Sequence, residues 1–210
     1  MVSLESRQEN LANELSAMHF KNLQYVKRFR MELDLRRWQR PPIELPPDYR
    51  FVGWNPALVE AHAEVKYQSF RGEIDSQVFP CLGEYDGCQK LMAEIKQKDG
   101  FVPEATWLAE YVGAGPSKSE YCGTIQAVRI RRGRASIQNI GVAPLHRGRG
   151  LGTALILASL LGLEYVAVPR VRLEVTAENV GAVRLYRRLG FRTIRTLYKT
   201  VELASGASAR

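Results

Sequence analysis

Apolar and polar positions change rhythm several times along the chain, and each change predicts an element. Leu4, Leu11, Leu15 and Met18 recur among polar residues at helical spacing, which predicts an amphipathic helix over 4–22. Phe29, Met31, Leu33 and Leu35 alternate with Arg30, Glu32 and Asp34, the two-residue rhythm of a half-buried strand. Pro41-Pro42 and Pro46-Pro47 then remove backbone donors and fix φ. Residues 41–48 therefore read as a linker between an amino-terminal helix and strand extension (1–40) and a main body (49–203), with a flexible tail over 204–210.

Within the main body, Tyr49 to Trp54 reads as a strand, and Asn55-Pro56 supplies the cap and first-turn proline of a helix to about Ser69. Phe70 to Asp86, rich in Gly, Pro and acids, reads as a loop before a second helix over Gly87–Lys96. Trp107–Val112, Glu120–Ile130 and Arg134–Val142 predict a meander, broken at Gly113–Pro116 and Arg132-Gly133. Gly150 to Ala167 is apolar on most faces, as a helix packed on a sheet should be, and Val171–Val175 is another strand. Asn179 caps a final helix through Ala182, Leu185, Tyr186 and Leu189, which Gly190 stops. Phe191–Leu197 and Tyr198–Leu203 close the sheet; the loose echo of Phe29–Leu33 in Tyr198–Leu203 reads as a chance match. The predicted fold class is α/β, a mixed, mostly antiparallel sheet flanked by helices, with an extra amino-terminal helix and strand.

Composition narrows this picture. With 210 residues, 45% hydrophobic and 25% charged, the chain is an ordinary globular one of about one domain plus an appendage. Its longest uncharged run, Gly150 to Leu163, falls short of the roughly 20 residues that cross a bilayer, so no membrane partner is expected. Glu5, Glu9 and Glu14 oppose a signal peptide, which points to the cytoplasm. Cys81, Cys88 and Cys122 lack metal-ligand spacing and read as buried or half-buried free thiols, with no metal expected. The net charge of +8 divides into +3 over 1–40, −6 over 41–120 and +11 over 121–210. A basic end beside an acidic middle suits a polyanion on one surface and a cation on another, although charge alone favours a merely solvated face.

The strongest chemistry lies in Val142-Ala-Pro-Leu-His-Arg-Gly-Arg-Gly-Leu-Gly152, which joins a strand to a helix. Glycines at 148, 150 and 152 leave backbone N–H groups uncovered at the helix's positive end, where a pyrophosphate can sit, and Arg147 and Arg149 add charge. Arg147 to Gly152 resembles the Q/R-x-x-G-x-G/A signature of the GNAT acetyltransferase superfamily, with the usual Val-x-Pro at Val142–Pro144. Leu173-Glu-Val175, Asn179, Ala182, Leu185-Tyr186 and Leu189-Gly-Phe191 resemble its later motif, at the spacing of ribosomal-protein alanine N-acetyltransferases. The resemblance spans about 49–203 and is specific over 137–191.

It implies acetyl-CoA as co-substrate, without metal, and an N-acetyltransferase reaction on a primary amine by direct attack. Backbone groups of Ile140 and Val142 would bond the pantetheine arm and acetyl carbonyl, with Gln138 and Asn139 toward the acceptor. Arg147, Gly148, Arg149, Gly150, Leu151, Gly152 and Thr153 would hold the phosphates. Tyr186 falls where a general acid protonates the departing thiolate, unless it is only a core tyrosine. Asn179 would touch the cofactor, beside its role as a cap. Glu174 matches the base position, against an ion-paired carboxylate beside Arg172, with Glu120 and the loop acids in reserve. His146 reads as a solvent or cofactor-edge residue and His62 as structural. The acceptor would lie against 55–96, where Phe70, Glu73, Asp75, Phe79, Glu84, Tyr85 and Asp86 suit a cationic amine, small molecule or peptide. Two other classes stand beside this reading: a non-catalytic CoA-binding module, and a nucleic-acid binder using Arg129, Arg131, Arg132, Arg134 and the last helix's arginines, against which the acidic middle counts. Residues 1–40 are candidates for a dimer arm, an added strand or a lid.

Overall fold

The computed structural model describes residues 23–113, 119–131 and 133–202. The helix expected over 4–22, most of the Gly113–Pro116 turn, Arg132 and the tail over 204–210 lie outside the described residues. Strands β1 (Leu23–Asp34), β2 (Tyr49–Gly53), β3 (Trp107–Tyr111), β4 (Glu120–Arg131), β5 (Arg134–Val142), β6 (Arg170–Thr176) and β7 (Arg192–Glu202) form one sheet in the order β2-β3-β4-β5-β6-β1-β7. The β5–β6 pair is parallel and every other pair is antiparallel. The helices are α1 (Val59–Phe70), α2 (Ile74–Val78), α3 (Tyr85–Lys96), α4 (Leu151–Tyr165) and α5 (Val180–Arg188).

Two apolar layers fix the sheet from its two sides. Helix α4 is Leu- and Ala-rich; Leu155, Ile156, Leu160 and Leu163 are fully buried in one cluster with Ile125, Ala127, Ala135 and Val171. Each such side chain contributes roughly 1.5–3 kcal/mol relative to exposure. A second cluster joins Ala63 of α1, Cys88, Met92 and Ile95 of α3, and Val128 of β4. Asn55 caps the turn that leads into α1 by accepting from the Ala57 amide at 2.9 Å.

Three expectations change. Residues 23–34 are an internal strand rather than part of an appendage: β1 pairs with β6 over Arg28–Asp34 and with β7 over Leu23–Glu32. The alternation gave it one apolar face, and Met31 and Leu33 bury that face in the main cluster. The 70–86 segment contains α2 and a short 3-10 turn, Pro80–Leu82, because Val78 and Leu82 reach the core. The two closing strands are one, since no turn residue separates Leu197 from Tyr198 and the 12-residue β1 offers a partner along nearly all of β7. Of the thiols, Cys88 and Cys122 are buried but Cys81 is exposed. Among the described residues no helix is long and apolar enough to cross a membrane.

Candidate active site

The β5–α4 turn is held open by its backbone. Gly148 and Gly150 have φ of 75° and 83°, in the left-handed region that penalises a side chain, and a Cβ at either would meet nothing within 4 Å. Gly150 caps α4 with no side-chain acceptor, so the first amides of α4 stay available at its positive end. Leu151 and Gly152 face the same cavity, of about 440 Å³, as do Gly148 and Gly150. Arg149 is exposed, and neither it nor Thr153 lines the cavity. Arg147 is engaged within the protein: it donates to the Val142 carbonyl (3.0 Å), the Ser69 carbonyl (2.8 Å) and Glu73 (2.6 Å). These contacts tie the turn to the end of α1, and Arg147 also lines the cavity. His146, expected as a solvent or cofactor-edge residue, is buried and lines the cavity; Nδ1 lies 2.9 Å from the Tyr49 hydroxyl and Nε2 3.0 Å from Glu120.

The neighbouring strands part where a co-substrate arm would need to enter. Parallel pairing of β5 with β6 is limited to Arg134–Ser136 against Arg170–Arg172; beyond Ser136 the facing edge of β5 has no ladder partner. The bend arises from a bulge. Ile125 opposes Ile140 and Ala127 opposes Ile137, so Gln138 and Asn139 together face Gln126 alone. From the helix side, the fully buried Lys66 donates to Gln126 (2.6 Å) and Asn139 (3.1 Å) and so grips both strands at the bulge. Burial pushes the Lys66 amine down to about 7. His62 packs in the same polar group, 2.8 Å from the Thr124 hydroxyl, and burial with Lys66 nearby holds its imidazole down to about 3. It is a neutral structural residue. Gly141 is required by close approach, because a Cβ there would lie 2.6 Å from Ser69 Cβ.

Tyr186 of α5 faces the main cavity, with Ile140 and Val142 on the opposite wall. Its hydroxyl makes no hydrogen bond among the described residues, and burial together with the nearby Asp75 raises the phenol well above its ordinary value. It therefore stays protonated throughout the neutral range. Asn179 does two jobs: Oδ1 accepts from the Ala182 amide at 3.1 Å, and the residue lines the cavity. A narrower cavity of about 110 Å³ shares Tyr186, Asn179 and Ile140 with the first and reaches Glu174. A third, of about 380 Å³, continues past Glu174, Gln138 and Asn139 to Phe79 and Arg28. Glu174 lies opposite Arg30, which donates twice to Oε1 (3.0 and 2.8 Å); Arg172 pairs instead with Glu32 at 2.7 Å. Oε2 of Glu174 has no partner among the described residues, leaving one oxygen able to accept.

Not all of the expected acceptor acids meet in these cavities. Glu73 and Asp75 line the main one, but Glu73 pairs with Arg147, and Asp75 accepts from Thr176 at 2.7 Å. Glu84 and Asp86 line none of the three. Among the arginines weighed for a polyanion, Arg129 donates to the Val166 carbonyl (2.8 Å) and Arg134 lies 3.8 Å from Glu32. Two residues stand out that motif reading passed over. Lys66 had a signal, a cation in the apolar stripe Val59-Ala63-Lys66-Phe70 at helical spacing. Arg28 had none, because the partner strands that surround it lie far along the chain.

A glycine turn and open helix end beside a gap between two parallel strands define the class of this domain. The chain belongs to the acetyltransferase (GNAT) family, whose family model matches residues 74–191. It is 44% identical over 189 residues to a mycothiol acetyltransferase of Renibacterium salmoninarum, covering 82% of this chain and 48% of that protein. A mycothiol acetyltransferase of Streptomyces avermitilis is 40% identical over 115 residues, covering 53% of this chain and 35% of that protein. The chain thus spans about half or less of the length of these curated relatives. Among solved structures, the GCN5-related N-acetyltransferase from Sphaerobacter thermophilus superposes with a TM-score of 0.60 at 26% identity, covering 90% of this chain and 55% of that one.

Proposed function

We propose that the protein is an N-acetyltransferase that moves the acetyl group of acetyl-CoA to a primary amine on a small molecule or peptide by direct attack. The observation that carries this reading is one continuous cavity, on which the open turn at Gly148–Gly152, the unpaired edge of β5 and the Tyr186 phenol converge. The residues fit the co-substrate. Left-handed glycines without a Cβ and the amides at the start of α4 suit a pyrophosphate. The free edge at Ile140–Val142 suits an extended amide arm, which would add to the sheet as a strand does.

Acetyl-CoA supplies the activated acyl group. Backbone N–H groups on the free edge of β5, fixed by the bulge and by Lys66, meet the negative charge that develops on the carbonyl oxygen. Tyr186, kept protonated by burial, donates its proton to the departing thiolate. Glu174, through Oε2 or a water, takes a proton from the acceptor ammonium, and the neutral amine so formed attacks. Direct attack is favoured over a covalent relay because no cysteine lines the main cavity, and its one hydroxyl-bearing neighbour besides Tyr186, Ser69, donates to the Val65 carbonyl. Burial also pushes the Cys88 and Cys122 thiols up to about 11 and about 12, far from a nucleophilic thiolate.

Calorimetric titration with acetyl-CoA tests the reading. One-to-one binding that desulfo-CoA reproduces, and that Gly150→Val weakens, is expected; absence of binding would remove the co-substrate and the reading with it.

A further inference from the structure

Arg28 lines the acceptor end of the cavity system, with Lys199 nearby against the Phe79 ring, where the regional charge pattern suggested acids. Arg28, on β1, is only 7% exposed, yet its Nε and Nη1 have no hydrogen-bond partner among the described residues. The closest carboxylate, Asp75, stands 3.9 Å from Nη1, too far for a hydrogen bond, and its Oδ1 already accepts from Thr176. Glu174 gives Oε1 to Arg30 and makes no hydrogen bond to Arg28, on which it acts only through space. The guanidinium carbon of Arg28 lies 4.5 Å from the centre of the Phe79 ring, and the Lys199 ammonium 3.7 Å from the same ring. Both cations are held below their ordinary values, chiefly by burial, and Lys199 further by Arg28 itself. A desolvated guanidinium with idle donors, next to a second cation, is unfavourable unless something outside the described residues answers it.

That something is an anion. The guanidinium fork matches a carboxylate or phosphate bidentately. Arg28 lines the same two cavities as Glu174 and is its diagonal neighbour across the β1–β6 ladder, with Cβ atoms typically about 7–8 Å apart. An amine directed at Glu174 and an anionic group directed at Arg28 therefore belong to one molecule, a few bonds apart. We propose that Arg28, with Lys199 beside it, receives a carboxylate or phosphate of the acceptor, so that the substrate is an amino-acid-like zwitterion or an amino phosphate rather than a polycation. The inference rests on the acetyl-transfer reading and narrows its substrate class.

The test uses the full chain, as wild type, Arg28→Met and Arg28→Lys. CoA release is measured with a panel of amino acids against their amides, and with ethanolamine phosphate against ethanolamine. In parallel, binding of N-acetylamino acids and N-acetylamino amides to the CoA-loaded protein is followed by calorimetry. The expected result is kcat/KM at least about tenfold higher for the anionic member of one set, with the set that responds separating carboxylate from phosphate. Arg28→Met should erase that ratio through KM while leaving kcat near wild type and Tm little changed, since it removes buried donors that no hydrogen bond answers together with only a long ion pair to Asp75; Arg28→Lys should fall between. A retained Tm with loss of preference is a signature that a purely structural arginine would not give. Equal rates for both members, a preference that survives Arg28→Met, or failure of every acidic product to bind the CoA-loaded protein each overturns the inference. Failure of acetyl-CoA itself to bind strikes the acetyl-transfer reading instead.

Discussion

The two halves of the cavity system are built in opposite ways. The co-substrate half is local: Ile140 to Gly152 are thirteen consecutive residues that run from a strand edge through a glycine turn to a helix end. Its chemistry is made of backbone, N–H groups at α4 and the free edge of β5, with Arg147 as a brace. The proposed acceptor half is assembled from β1, β5, β6 and the turn after α2, and its chemistry is made of side chains: Arg28, Glu174 and Phe79, with Lys199 against the Phe79 ring. A backbone site tolerates change in everything except its glycines and its helix end. A side-chain site changes partner with single substitutions, so under the proposed reading acceptor choice is set in this half.

This contrast can be broken in graded steps. The largest effect is expected at the join between the halves: Tyr186→Phe should lower kcat by roughly 10²-fold while leaving acetyl-CoA affinity within a factor of about two, as for loss of a general acid. Unchanged turnover in stopped-flow thiol detection removes Tyr186 from the chemistry. Next, Gly150→Val forces a β-branched residue to φ 83° and should weaken acetyl-CoA binding by roughly 10- to 100-fold, with the far-ultraviolet circular dichroism unaltered. Wild-type affinity in that variant would mean that the turn is not where the phosphates sit. A smaller change, a drop of roughly tenfold in kcat/KM, is expected for Glu174→Gln, because solvent can replace this half-exposed carboxylate. Unchanged kcat/KM would place the base elsewhere.

The remaining effect falls on stability rather than on the chemistry itself and concerns Lys66. Its amine is held at about 7 in the folded protein against 10.5 for an ordinary lysine. Between these values the unfolded chain binds the extra proton, so stability rises with pH by up to about 1.4 kcal/mol per unit and the burial penalty is fully felt below about pH 7. Lys66→Met should flatten that rise in denaturant melts between pH 7 and 10, and should slow turnover by loosening the bulge at Gln138-Asn139. A slope identical to wild type would show that Lys66 stays charged when buried.

What could be read from sequence follows the same division. The meander, α4, α5 and the glycine turn were legible because each is set by neighbours within a few residues: alternation, capping by Asn179, stopping by Gly190. Strand β1 was legible as a strand but not as a central one. Its alternation says that one face is buried, and says nothing about which strands flank it across the 140 or so residues that separate it from β6. For the same reason Glu174 was matched with Arg172, its chain neighbour, whereas the sheet register sets it opposite Arg30. Arg147 shows a further limit. A motif marks an arginine at the turn, but only the fold brings Ser69 and Glu73 close enough to engage it.

The most direct test of the central claim is CoA thiol release from acetyl-CoA in the presence of primary amines, with mass spectrometry of the acceptors. The account predicts thiol release that depends on the amine, a mass gain of one acetyl group on the acceptor, and collapse of both with Tyr186→Phe. Acetyl-CoA binding without release for any amine, anionic or not, would contradict it and leave a CoA-binding module on this fold.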